Sequence, residues 1–511
     1  MRRSRSRTTK WNLFFHYASI GLVLISGILL VPLYLHYIPL DLYGAWLATG
    51  NILAWLTVVD PGLSTVIQQR TGVAYGKGDT TQLSDLLTSG LLLSGLVALL
   101  VLIVGLVSSR FLAEWLNLGA TIDVHLVEQA FVLAAVGSAL MIFSYGLTAF
   151  NQGLQSSLGI GLVFVVVMVI SLALTVVLLY QGVGLLALPI GLIVRGIGLS
   201  VGNAGYLFWR SWSEKLTYRF SATGIRTLTR LSSYTFLSRV SGAVAGNMDA
   251  FVLTRYLGPE VAPVFVLTRK APDMSRMFLE RPAVAFMPAV SSLVGTGEME
   301  RAKVVLLRLL RLSLWLLGLI AAGFIVFNRD FVSLWVGADL FAGSAVNVIL
   351  VLALVVTVLV NGLSNLCFSL VNIKGNSLAS IAQGLLSVPL IIIGAKYWGM
   401  IGVALAPLVA MLATTAWYYP KAFSRLLSLE RSDINAIARE AVKVLASAII
   451  VVAAFIWATL TTWIAFLLTV AVFAILYALI LGALSQPFRA EMFGFLKQAR
   501  RVGHGVLLRL G

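Results

Sequence analysis

Arg269, Asp273, Arg276 and Glu280 recur at intervals of four, three and four residues inside an otherwise apolar stretch over 261–290. A helix advancing about 100° per residue gathers these four side chains into one arc roughly 60° wide, and Lys270 flanks that arc. An ionised side chain at the centre of a spanning helix costs about 2.5–3.5 kcal/mol when it faces lipid. The stripe must therefore face protein or water. Two arrangements satisfy this. One is a self-neutralising ladder of Arg–Asp–Arg–Glu pairs; the other is a wet cavity wall whose cations meet an anionic ligand. Asp60, Arg195, Arg239, Asp249 and Arg281 also fall inside apolar stretches. Counting them with the stripe, cations outnumber anions, which favours the cavity wall. Asp60 is either the partner of an arginine or a carrier of protons. Arg195 and Arg239, with Asn247 and Asp249, can face the same cleft, and helical direction alone does not settle whether they do.

Other chemistry is poorly supplied. The four histidines, His16, His36, His125 and His504, have no paired spacing for zinc, and the single cysteine, Cys367, excludes a cysteine-clustered metal site. No Gly-rich phosphate loop ends in Lys-Ser/Thr, so the chain is not itself an ATP-driven pump. Asp-x-Asp and His-Glu-x-x-His are absent too. Neither a metal nor a cofactor is expected, and the chain does not read as an enzyme.

The elements that must position the charges are membrane helices. The 511 residues are 59% hydrophobic and 11% charged, with a mean hydropathy of +0.96, against about 25% charged in a soluble domain. Apolar stretches place helices at 12–36, 42–68, 87–109, 128–150, 158–180 and 184–209, then at 232–255, 261–290, 305–328, 343–371, 376–395 and 399–419, and finally at 441–462 and 464–484. These make about fourteen spans of roughly 20–25 residues. Arg2, Arg3, Arg5, Arg7 and Lys10 precede the first stretch, which is too long for a signal-peptide core and reads as an uncleaved spanning helix. With the N-terminus inside, the outer segments hold only Arg110, Arg255, Arg329 and Lys396, while most of the other Lys and Arg fall in inner segments. A missed helix would invert every later loop, so this asymmetry fixes both termini on the cytoplasmic side. The net charge of +17 is explained by those loops rather than by nucleic acid.

An internal repeat underlies the pattern. Tyr37-Ile38-Pro39-Leu40-Asp41 returns as Tyr256-Leu257-Gly258-Pro259-Glu260, and Gly76-Lys77-Gly78-Asp79 as Gly295-Thr296-Gly297-Glu298. Asn151 with Gln155-Ser156 matches Asn372 with Asn376-Ser377, and Gly184 to Pro189 matches Gly402 to Pro407. Matches in order at near-constant offset indicate duplication. An even number of helices per copy makes the repeat parallel. The expected architecture is all-α and integral to the membrane, with two parallel six-helix lobes around a central cavity and two extra C-terminal helices. Its parts are an N-lobe at 1–210, a cytoplasmic linker at 211–231, a C-lobe at 232–425, and the last two helices with a basic tail at 426–511. Two such lobes suit alternating access.

Tyr43-Gly44 with Trp46, then Asp60-Pro61-Gly62-Leu63, then Gly76-Lys77-Gly78-Asp79 resemble the opening of the polysaccharide-unit flippases of the multidrug/oligosaccharidyl-lipid/polysaccharide exporter superfamily. Asn247-Met248-Asp249, Tyr256-Leu257-Gly258-Pro259, Gly295-Thr296-Gly297-Glu298 and Leu334-Trp335-Val336-Gly337 are similar to that family's second lobe. The chain departs at Asp60-Pro61-Gly62, where the family more often has a non-proline middle residue. The resemblance implies movement of a polyprenyl-pyrophosphate-linked oligosaccharide, such as an O-antigen or exopolysaccharide repeat unit, from the inner to the outer leaflet of the cytoplasmic membrane. It implies that Arg269, Lys270 and Arg276 hold the headgroup with support from Arg195 and Arg239. Asp60, Asp249 and Asp273 then serve as charge partners or ion-coupling groups. Membrane lipid, a polysaccharide polymerase and chain-length partners complete the expected associations. The nearest alternative is an ion-coupled multidrug cation antiporter of the same superfamily, which would want a carboxylate-dominated cavity. A glycan polymerase or ligase would need a longer outer loop than 110–127, and a passive scaffold is the third alternative.

Overall fold

The computed structural model describes residues 21–22, 25–57, 62–119, 122–214, 216–217, 221–230, 246–295, 298–369 and 373–494. Among these the chain is helical throughout and forms no strand. The helices are α1 (Ile25–Tyr37), α2 (Leu40–Thr57), α3 (Leu63–Lys77), α4 (Thr80–Ser109), α5 (Leu112–Leu116), α6 (Val124–Gly153), α7 (Ser157–Tyr180) and α8 (Ala187–Ser213). A helix at 222–230, α9, follows. Then come α10 (Asp249–Leu257), α11 (Val261–Gly295), α12 (Met299–Trp335), α13 (Ser344–Ser369), α14 (Ile373–Ala413), α15 (Thr415–Leu426), α16 (Arg431–Phe455) and α17 (Trp463–Leu484), and α18 at 486–494. By length and hydropathy, 8 of the described helices can cross a membrane.

The chain contains two compact units, one of residues 1–263 with 380–403 and the other of residues 264–379 with 404–511. Small residues let the helices of the first unit close on one another. On α8, Gly196 lies against Leu140 of α6, while Gly198 and Gly202 lie against Val167 and Val163 of α7. A buried amide adds to the α6–α8 contact: Asn151 Nδ2 donates to the Asn203 carbonyl at 3.0 Å.

Several of the short motifs prove to be turn chemistry. Gly78 ends α3 at φ 71, a left-handed conformation that glycine adopts without steric cost. Asp79 then starts α4 by accepting from the Gln82 N–H at 2.9 Å. Segment 211–230 also has a seat on the first unit: Ser84 Oγ accepts from the Thr217 N–H at 3.0 Å, and Leu228 is fully buried.

One expected span is corrected. The stretch 42–68 is not one helix but two, α2 and α3, with Gly62 at φ 83 as the N-cap of α3. The preceding Pro61 has no N–H to continue a helical ladder, so the sequence carries the cause of the break. The stretches 376–395 and 399–419 are two helices that meet at Gly399, where φ is 56 and ψ −137, and the end of the second falls in α15. That sharp turn brings Gly394 and Gly402 into backbone contact that neither could make with a side chain. Residues 232–245, most of another expected span, lie almost wholly outside the described residues. Helix α12 starts six residues before the expected 305, and Arg301 and Lys303, good helix formers, lie in that extension.

The two repeat-related motifs meet in the first unit. A Cβ on Gly44 of α2 would overlap the Pro259 carbonyl oxygen and lie 2.6 Å from its carbon. Because that neighbour is backbone, it cannot swing away. Gly44→Ala is therefore expected to lower stability by about 1–3 kcal/mol. Gly50→Ala in the same helix meets nothing within 4 Å and should be neutral, or stabilising by up to about 1 kcal/mol. Thermal melting of the two purified variants in one detergent checks the contrast.

Candidate functional site

Helix α11 carries the charged stripe as the spacing requires. Arg269 Nε donates to Asp273 Oδ2 at 2.8 Å, and Arg276 Nε lies 3.9 Å from Glu280 Oε1. Asn361 of α13 donates its Nδ2 to the same Glu280 oxygen at 2.8 Å. The Arg269 guanidinium carbon stands 5.6 Å from the centre of the Phe265 ring, a cation–π separation. The ladder of ion pairs is thus formed. It is not sealed, however: the four side chains keep 27%, 38%, 42% and 24% of their surface uncovered by protein, in chain order. Lys270 is half-buried and belongs to none of the ion pairs found among the described residues. It leaves the stripe with one cation more than its anions. The Arg281 side chain lies outside the described residues.

A proline sets the local geometry of the stripe. Pro272 has no N–H, so the Thr268 carbonyl four residues earlier lacks its usual helical partner. Asn328 of α12 supplies one: its Nδ2 donates to the Thr268 oxygen at 2.9 Å and also to Asn347 Oδ1 at 2.7 Å. Asn347 of α13 in turn donates to the Phe324 carbonyl at 3.0 Å. All three side chains are buried. The staple lies one residue before Arg269, and it holds the stripe-bearing helix to two neighbours at the point where its own ladder is broken.

The remaining sequence-predicted residues fall in the first unit. Asp249, only 5% exposed, stands in the first turn of α10, and its Oδ1 accepts from Asn51 Nδ2 of α2 at 3.2 Å. Arg195 of α8 interacts electrostatically with Tyr34 of α1 and Tyr145 of α6. Its Nε is buried and has no hydrogen-bond partner among the described residues. Asp60 and Arg239 lie outside the described residues.

Tyr34, Tyr145, Asn51, Asn361 and Asn328 were not reached by sequence reasoning. Only Asn328 left a trace there, because Pro272 announces a free carbonyl four residues upstream without saying which side chain fills it. In the first unit, Arg255 donates to the Glu114 and Trp115 carbonyls at 2.9 and 2.7 Å. There it satisfies the C-terminal carbonyls of α5.

Chemically, the second unit offers a half-open cationic stripe, and the first offers a guanidinium whose Nε has no hydrogen-bond partner among the described residues. Both suit an anion. Residues 52–342 match the family model described as polysaccharide biosynthesis protein. No curated protein matches the sequence. Among solved structures, the chain is similar to lipid II flippase MurJ in an inward closed conformation, at 15% identity, 92% of this chain, 98% of that one and a TM-score of 0.67. It is also similar to an inward-facing multidrug resistance MATE family transporter of the MOP superfamily, at 14% identity, with 80% and 99% covered and a TM-score of 0.66. A mutant of the Vibrio cholerae MATE transporter VcmN follows at 16% identity, with 84% and 99% covered and a TM-score of 0.56. At these identities the likeness establishes the fold.

Proposed function

The chain belongs to the polysaccharide biosynthesis protein family, and from that premise we propose that it is a flippase for a polyprenyl-pyrophosphate-linked oligosaccharide. It moves one repeat unit of a surface polysaccharide, O-antigen or exopolysaccharide, from the inner to the outer leaflet of the cytoplasmic membrane by alternating access. Arg269, Lys270 and Arg276 hold the pyrophosphate–sugar headgroup, and Arg195 and Arg239 add positive charge. Asp60, Asp249 and Asp273 balance those cations when no substrate is present and are the candidates for coupling to an ion gradient. Both termini face the cytoplasm, which puts the basic inner loops beside the anionic leaflet. A polymerase and chain-length partners act on the unit once it has crossed.

One observation carries this reading: helix α11 keeps two arginines and a lysine on or beside one stripe, opposed by only two acids and incompletely covered by protein. A site built for cationic drugs would reverse that balance. The test is reconstitution of the purified chain into liposomes containing a fluorescent lipid-linked oligosaccharide in both leaflets. Movement of the label out of reach of a membrane-impermeant quencher, faster than in empty liposomes, is the expected result. Exchange of an organic cation against protons or sodium, with the lipid-linked sugar immobile, would establish the antiporter instead.

A further inference from the structure

Pro272 interrupts α11 between the two members of an ion pair, Arg269 and Asp273. A proline has no N–H, and its ring crowds the carbonyl four residues back, so a helix is short of one hydrogen bond there and bends there most easily. A neighbouring helix can satisfy the freed carbonyl, as Asn328 of α12 does for Thr268. The segment before the proline is held by directional bonds. Thr268 Oγ1 accepts from the Ala342 N–H at 2.8 Å, Asn347 Oδ1 of α13 accepts from Asn328 at 2.7 Å, and Phe265, Leu267 and Thr268 are almost fully buried. Past the proline the cover thins. No side chain from Asp273 to Phe278 is buried, and Met277 and Phe278 are exposed. Two turns on stand one amide bond, from Asn361 to Glu280, and the packing of Leu279 with Leu317 and Leu354. Apolar packing is non-directional, so it can slide where an amide bond cannot.

We propose that Pro272 is a working joint of α11. Asn328 and Asn347 are positioning residues that pin the segment carrying Arg269, and the segment carrying Asp273, Arg276 and Glu280 turns against it. The Arg269–Asp273 bond, 2.8 Å in this conformation, spans the joint, so turning draws the carboxylate away from the guanidinium. The joint thereby sets whether Arg269 is paired or presents its charge. A helix built only for stability would do better with alanine at 272, which restores the missing N–H and is the best helix former. The use of that charge in transport rests on the flippase reading; the joint itself does not.

The full-length chain in lipid nanodiscs is tested through the distance between two spin labels. Cys367→Ala removes the single native cysteine. Met277→Cys on the turning segment is then paired with Val348→Cys on α13, and Leu316→Cys on α12 with Val348→Cys is the reference; all three positions are exposed. The first pair should give a broad distance distribution and the reference a narrow one. Pro272→Ala should narrow the first to the width of the reference and melt at or above the wild-type temperature, because the Thr268 carbonyl regains a helical partner. It should nevertheless move the fluorescent lipid-linked oligosaccharide roughly ten- to hundredfold more slowly. Asn328→Leu should melt lower, since it strands the Thr268 carbonyl and the Asn347 oxygen. Adding Pro272→Ala to it should recover part of the melting temperature and none of the transport.

A first-pair distribution as narrow as the reference in the wild type, or one left unchanged by Pro272→Ala, overturns the joint and leaves the flippase reading intact. Transport at the wild-type rate by Pro272→Ala overturns it too, and makes the proline a tolerated break that Asn328 merely satisfies. Where Pro272→Ala does not insert, the wild-type distances decide. A broad distribution that narrows in Pro272→Ala, in a chain that moves no lipid-linked sugar, removes the flippase reading and leaves the joint standing.

Discussion

Arg269→Asp combined with Asp273→Arg, which rebuilds the ion pair with its ends exchanged, is expected to insert and melt like the wild type yet to export little polymer. The present pair joins Arg269 Nε to Asp273 Oδ2 at 2.8 Å, four residues apart. Exchange places the acid nearer the helix N-terminus, which is the more favourable order for an i, i+4 pair. The Arg269 contact with Phe265 is lost, at about 0.5–1 kcal/mol. Stability therefore changes little. The positive charge, however, moves by one turn, about 6 Å along the helix, away from the position where it would meet a headgroup. A charge-assisted hydrogen bond contributes about 1.5–3 kcal/mol, so its loss predicts export reduced roughly ten- to hundredfold. Arg269→Ala should show the same loss of export with normal membrane insertion. Polymer on the cell surface and protein in the membrane fraction are the two measurements. Wild-type export by the exchanged pair would falsify the binding role and leave the ladder a purely structural device.

Replacing Glu440 should have the largest effect on stability. This residue of α16 is 4% exposed and collects donors from three sources. Ser485 Oγ donates at 2.6 Å, Lys443 Nζ at 2.8 Å and Trp315 Nε1, over a longer bond, at 3.4 Å. Two of these donors, Trp315 and Ser485, hold something further. Trp315 of α12 accepts at its carbonyl from Tyr477 of α17 at 2.9 Å, and Gly318, one turn on, lets Val444 and Tyr477 close against the backbone. Ser485 accepts from the Phe488 N–H at 3.2 Å and so starts α18. Phe488 meets Trp315 edge-on at 5.2 Å, and Glu491 of α18 pairs with Arg308 at 2.6 Å.

Removing one member of a buried charged pair costs about 3–5 kcal/mol. Lys443 is 34% exposed and can turn towards water or headgroups, so we expect Glu440→Ala to cost less, about 2–3 kcal/mol, mostly from the stranded Ser485 and Trp315 donors. Glu440→Gln should lose part of that, since an amide oxygen still accepts. Melting in detergent gives the stability, and proteolysis within 485–494 reports the release of α18. Should Glu440→Ala melt with the wild type and resist proteolysis equally, the last helices are held by apolar packing alone.

Much of this protein can be read one residue at a time. Whether a stretch crosses the membrane depends on the summed transfer free energy of its own side chains. For that reason the helices at 124–153, 157–180, 344–369 and 463–484 lie within a few residues of their sequence-derived positions. The stripe on α11 was equally legible, because its four charges share one helix and the helical repeat alone brings them together.

Where the linear sequence under-determined the outcome, the reason was a contact between distant residues or a single dihedral. A hydropathy sum passes over the Pro61-Gly62 break signal, yet the backbone turns at Gly62 with φ 83. Asp249 finds Asn51, 198 residues away, and Asn361 finds Glu280 across 81. Hydropathy and charge are sums along the chain, so the sequence by itself determined that this is a helical membrane protein with cations in its spans. Pairing depends instead on which helix faces touch. Only the tertiary structure decided that the acids of α11 close on its arginines, while Arg195 forms no ion pair among the described residues.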